Sequence, residues 1–335
     1  MWLLSTAGAE LKFFPGPEAV PGGYAIFSHV WLQDYQEDTF QKVQINADQC
    51  PGTSGTTRTS THQHALSSPR HLVSPKIRGF LTLAERDGYE WAWADTCCID
   101  KTSSAELTEA INSMFRYYAL SGVCYVYLND VSVEDDPASR GITTAFPLSR
   151  WHRRGWTLQE LLASRVVVFF SKEWTPLGTK FEFADLLQDI TGIPSEVIRL
   201  EKDFTDMSVA ARMSWASKRE TTRTEDAAYC LFGLFGVNLP TLYGEGQNAF
   251  YRLQEEILRT SGDVSLFGWS GSTPVVFTTL HRLTVSLRES LWTFDMGQYH
   301  YLFAHSAYAY SGQGNMRYEE PATRPGSWKK TFTVR

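Results

Sequence analysis

The chain has 335 residues, of which 43% are hydrophobic and 20% charged, enough apolar material for a large core and too much for a disordered chain. Its formal charge of -6, with no basic tail, argues against non-specific adhesion to nucleic acid or to an anionic membrane. No stretch approaches the roughly 20 apolar residues of a membrane helix, and the N-terminus lacks the basic start of a secretory signal, so a cytoplasmic location is expected.

In chain order, residues 2–5 and 11–14 read as short strands around a turn at Gly8. The Pro- and Gly-rich run 15–23 then breaks the chain before YAIFSHVW, residues 24–31, whose aromatic and β-branched content suits a buried strand. Residues 46–75 are rich in Gly, Pro, Ser and Thr and are predicted to be an exposed insertion. A helix follows to Asp87-Gly88, then EWAWADTCCI as a strand, on which Cys97 and Cys98 would face opposite ways. Ser103 or Ser104 caps a helix whose apolar stripe includes Ile111, Met114 and Tyr118, and residues 123–131 return as a strand.

After an acidic turn, WTLQELLAS reads as a helix and RVVVFF as a strand. Strands alternating with helices across short joints predict an α/β class, with a mainly parallel sheet flanked by helices. This domain is expected over residues 1–175, followed by a helical segment over 176–262 and a small β-rich region over 263–335, where the periodicity shifts to two.

Five scattered cysteines do not make a disulfide scaffold. His62, His64 and His71 lie in or beside the polar run without defined ligand geometry, so no metal is expected. There is no GxxxxGK[ST] loop, no GxGxxG after a strand and no GxSxG elbow. His29, next to Ser28, reads as a satisfied core histidine more readily than as a general base, because adjacent strand residues diverge. Farther on, Arg219, Arg223, Glu225 and Asp226 suggest an ion-pair lattice, with a phosphate or partner contact through the arginines as the alternative.

Two segments concentrate chemistry: YEWAWADTCCIDK from Tyr89 and SRWHRRGWTLQE from Ser149. Asp95 and Asp100 sit near a strand-to-helix transition, where parallel α/β sheets usually bind ligands. If Glu160 reaches the same crevice, its carboxylate could stabilise a developing sugar cation or hold a ribose hydroxyl, while Arg153 or Arg154 neutralises phosphate. The competing reading makes Asp95 and Glu160 helix caps or arginine partners.

GYAIFSHVW, YEWAWADTCCIDK and SRWHRRGWTLQELL, in that order, resemble the three motifs of the fungal heterokaryon incompatibility (HET) domain. Residues 212–257 resemble a segment that often accompanies such domains in basidiomycetes. The resemblance covers most of residues 1–260 and implies an effector of allorecognition-linked programmed cell death, acting through self-association or a protein partner, with no cofactor. A distant likeness of the family to TIR domains, some of which cleave NAD, implies an alternative: a glycohydrolase with NAD as substrate. That analogy puts Glu160 and Asp95 in catalytic roles and Asp100, Arg154, Trp93, Trp156 and Ser28 in ligand binding. The signalling reading expects exposed aromatic surface around Trp151 and Trp156. Where the family usually carries glycine after the first motif's tryptophan this chain has Leu32, which is expected to reshape the pocket.

Overall fold

The computed structural model describes residues 1–32, 37–49, 68–133, 144–268, 304 and 306–311. They fall into two compact units, Met1–Glu201 and Lys202–Arg335.

The first unit is built on seven strands: β1 (Trp2–Ser5), β2 (Leu11–Phe13), β3 (Ala25–His29), β4 (Trp91–Trp93), β5 (Val123–Tyr127), β6 (Val167–Phe170) and β7 (Pro176–Thr179), in the order β2-β1-β4-β3-β5-β6-β7. β3 runs parallel to β4 and to β5, and β5 parallel to β6. The outer pairings β1–β2, β1–β4 and β6–β7 are antiparallel. The expected mainly parallel sheet is therefore a mixed one with a parallel centre. Short turns explain β1–β2 and β6–β7, since a tight turn can only return a strand antiparallel; β1–β4 joins strands far apart in sequence.

Helices α1 (Phe40–Asp48), α2 (Pro75–Arg86), α3 (Asp95–Cys98), α4 (Ser104–Ala119), α5 (Thr157–Ala163), α6 (Ala184–Thr191) and α7 (Ser195–Ile198) complete the unit. Both faces of β3 are covered. Phe27 stacks on Phe80 of α2 and on Trp174. On the opposite face, Trp93 packs edge-on against Tyr117 and Tyr118 of α4. The helices start where capping demands: Ser74 accepts from the Ile77 amide, and Ser103 from the Glu106 amide.

Several expectations are corrected. EWAWADTCCI is not one strand: the Cys97 and Cys98 amides turn back to the Ala94 carbonyl, so α3 begins at Asp95 and both cysteines are buried. The polar insertion begins later than residue 46, because Asn46 is buried in α1; residues 50–67 lie outside the described ones.

The second unit contains α8 (Val209–Ala216), α9 (Asp226–Tyr229), α10 (Phe232–Phe235) and α11 (Asn248–Thr260). Leu253 and Ile257 of α11 are buried, as its periodicity predicts. Glu225 accepts from the amides of Gly244 at 2.8 Å and Gly246 at 3.0 Å. Both glycines have positive φ, which lets successive amides point at one carboxylate. Arg223 lies over the Tyr243 ring, so these charges serve a local turn in place of the expected lattice. The β-rich tail is not seen where it is described: Val264–Phe267 and Ala307–Tyr310 are 3-10 turns, the first capped by Asp263 accepting from the Ser265 amide. The rest of that expectation lies outside the described residues. Among the described residues no helix is long and apolar enough to cross a membrane.

Candidate functional site

Ser28 is the penultimate residue of β3, at the carboxyl end of the parallel strands. The chain leaves β3 toward β4 on one side and β5 toward β6 on the other, so the strand order reverses beside β3 and opens the sheet at that end. The Ser28 hydroxyl donates to Glu160 Oε2 and accepts from Trp151 Nε1 at 2.7 Å. The Tyr118 hydroxyl, which donates to the Phe27 carbonyl at 2.9 Å, also lies beside the carboxyl of Glu160.

Glu160 is almost completely buried, at 7% exposure. Burial pushes its carboxyl up to about 8; the hydrogen bond from Ser28 opposes this, the charge of Asp95 adds to it, and Arg154 opposes it. At neutral pH the group is therefore largely a neutral acid, a buried proton donor. Asp95 and Arg154 are thus near enough for their charges to act on Glu160.

Asp95 opens α3 and accepts from Trp31 Nε1 at 2.7 Å. Its other oxygen stands 3.7 Å from His29 Nε2, on the face of β3 opposite Ser28. Arg154 is half-buried just ahead of α5, and its carbonyl accepts from the Thr157 hydroxyl. Trp156 is also half-buried.

Asp100 and Trp93 have other roles. The Asp100 carboxylate is closed into its own turn by the Thr102 amide and hydroxyl and by Gln41, which hold it below the usual carboxylate range. Trp93, at 0% exposure, spends its ring faces on core packing and offers no stacking surface. Trp151 is likewise buried, which corrects the expectation of an exposed aromatic patch around it. The motif's tryptophan is there to orient Ser28.

Leu32 keeps a negative φ, so the backbone does not require glycine there, and its amide donates to Glu37 at 2.6 Å. The sequence reading missed three participants: Trp151 as a donor to Ser28, Tyr118 beside Glu160, and Glu37. For Trp151 a signal existed, since an indole N–H buried among apolar residues must find an acceptor. Glu37 has none, since nothing in its sequence neighbours marks its carboxylate as the acceptor of the Leu32 amide.

Residues 24–146 match the family model described as Heterokaryon incompatibility protein (HET), and residues 248–323 match a domain of unknown function, DUF8212. A curated relative, Vegetative incompatibility protein HET-E-1 of Podospora anserina, is 43% identical over 242 residues, covering 71% of this chain and 16% of the relative. The chain thus spans about a sixth of the length of the relative it matches. No solved structure matches it.

Proposed function

We propose, for a chain that belongs with the fungal heterokaryon incompatibility proteins through its HET domain, that it is an effector of incompatibility-type signalling, driving cell death when copies or partners bring it together. The observation carrying this reading is the 43% identity to a vegetative incompatibility protein, which runs through 71% of the chain. Fusing the full chain to a chemically dimerised module in a filamentous fungus tests it. Loss of viability on adding the dimeriser is expected, and full viability with the folded protein present would refute it.

A second reading is favoured by the buried carboxyl of Glu160 at the carboxyl end of β3, on which the charge of Arg154 and, from the other face of the strand, that of Asp95 act. Those groups suit cleavage of a nicotinamide–ribose bond in NAD. The cationic nicotinamide ring of NAD, brought beside Glu160, favours its ionised form, which then stabilises the oxocarbenium-like transition state as nicotinamide leaves as a neutral base and water adds to the sugar, giving up its proton to Glu160. Arg154 suits the pyrophosphate. The doubly wound order of the four parallel strands is compatible with a TIR-like core, a fold-level analogy that carries no chemistry by itself. Nicotinamide release by the purified chain, lost in Glu160→Gln, would support this reading, and no release from a folded, self-associated wild type would end it.

A further inference from the structure

The side of β3 opposite Ser28 holds a second polar cluster. His29 is buried, and among the described residues neither ring nitrogen has a hydrogen-bond partner. Its Nε2 stands 3.7 Å from Asp95 Oδ1 and 4.0 Å from Glu37 Oε2. The companion oxygens are already used: Glu37 Oε1 accepts from the Leu32 amide and from Lys76, and Asp95 Oδ2 from Trp31. Glu37 Oε2 is buried without a partner. Buried polar atoms left unsatisfied cost roughly 1–3 kcal/mol each, so two such atoms, His29 Nε2 and Glu37 Oε2, meeting beside Asp95 Oδ1 at a strand end are a place built for another molecule.

The spacing selects the occupant. A metal at about 2.1 Å from its ligands needs them roughly 3.0–3.4 Å apart, closer than these atoms stand. A hydroxyl oxygen at about 2.8 Å from each fits the wider spacing. Charge narrows the choice further. Burial, with the charges of Lys76 and Lys101 adding to it, holds the His29 imidazole neutral, and those two lysines disfavour a cationic ligand. The two carboxylates disfavour an anion. What remains is a neutral hydroxyl-rich group that donates to two carboxylates and accepts from an imidazole N–H.

We infer that His29, Glu37 and Asp95 form a subsite for the vicinal diol of a ribosyl group, with the half-exposed Trp31 indole at its rim. This extends the second reading above and takes its substrate class from it. One hydroxyl donates to Glu37 and the other to Asp95, with His29 between them. Asp95 serves both sides of the strand end: it acts on Glu160 by charge and holds the sugar by a hydrogen bond.

Saturation-transfer NMR on the full chain with adenosine, 2′,3′-dideoxyadenosine and free ribose tests the assignment. Adenosine is expected to bind, the dideoxy compound at least about tenfold more weakly. Asp95→Asn and Glu37→Gln are each expected to weaken adenosine by about tenfold with the fold retained by circular dichroism. Should Glu37→Gln unfold through loss of the Lys76 contact, Asp95→Asn alone decides. Ribose binding that the same variants weaken supports the subsite and identifies the sugar itself as sufficient. Equal binding of adenosine and its dideoxy analogue, or no transfer to any diol, overturns it. Turnover is not read, so absence of nicotinamide release leaves this inference standing, and absence of diol-dependent binding removes it whatever the turnover.

Discussion

The Ser28 hydroxyl donates to the Glu160 carboxyl across 132 positions of sequence, tying the central strand β3 to helix α5. Trp151 Nε1 completes the chain of donors by binding the same Ser28 oxygen. Ser28→Ala therefore strands two buried groups at once, at roughly 1–3 kcal/mol each. In a denaturation cycle with Trp151→Phe, the second substitution is expected to cost less in the Ser28→Ala background, with a coupling of about 0.5–3 kcal/mol. Strict additivity would mean the hydrogen bond contributes nothing to the fold.

Glu160 gives the domain a pH dependence of known sign. Its carboxyl titrates near 4.5 when unfolded and about 8 when folded, so between those values the folded state binds the extra proton. The cost of burying the ionised group is absent below 4.5 and grows as pH rises toward 8. The difference in unfolding free energy between Glu160→Gln and wild type is expected to increase across that window by a few kcal/mol and then level off. A flat difference would place the proton elsewhere.

Lys180 is buried against the end of α5, where its ammonium donates to the Leu161 carbonyl at 3.3 Å and to the Ser164 carbonyl. Burial pulls its pKa down from 10.5 to about 8, so between those values the unfolded chain holds more protons and stability rises with pH. Relative to Lys180→Met, wild type is expected to gain on the order of 3 kcal/mol from pH 8 to 10.5. Differential scanning at stepped pH measures it, and parallel profiles would remove Lys180 as the source.

What the sequence made legible follows the physics of each element. Aromatic and β-branched content marked β3, a closing glycine marked the end of α2, and a serine cap with an apolar stripe marked α4, because those signals are local. The split of EWAWADTCCI into β4 and α3 was hidden, since no residue from Ala94 to Cys98, whose two cysteine amides turn back to Ala94, is a glycine or proline that announces a turn. Glu160 and Asp95 were readable as candidates from residue chemistry, and Asp100 was equally so, although its carboxylate closes a local turn. Composition cannot tell a carboxylate aimed at a strand end from one that caps its own loop. The partnership of Trp151 with Ser28 depends on tertiary packing alone.

We propose that the effector output passes through the buried Glu160 centre. The most direct measurement is fungal viability under induced dimerisation for wild type and Glu160→Gln at matched protein levels. Death is expected with wild type and survival with Glu160→Gln, whose fold the removal of a buried ionisable group leaves intact. Equal killing by both chains would contradict it.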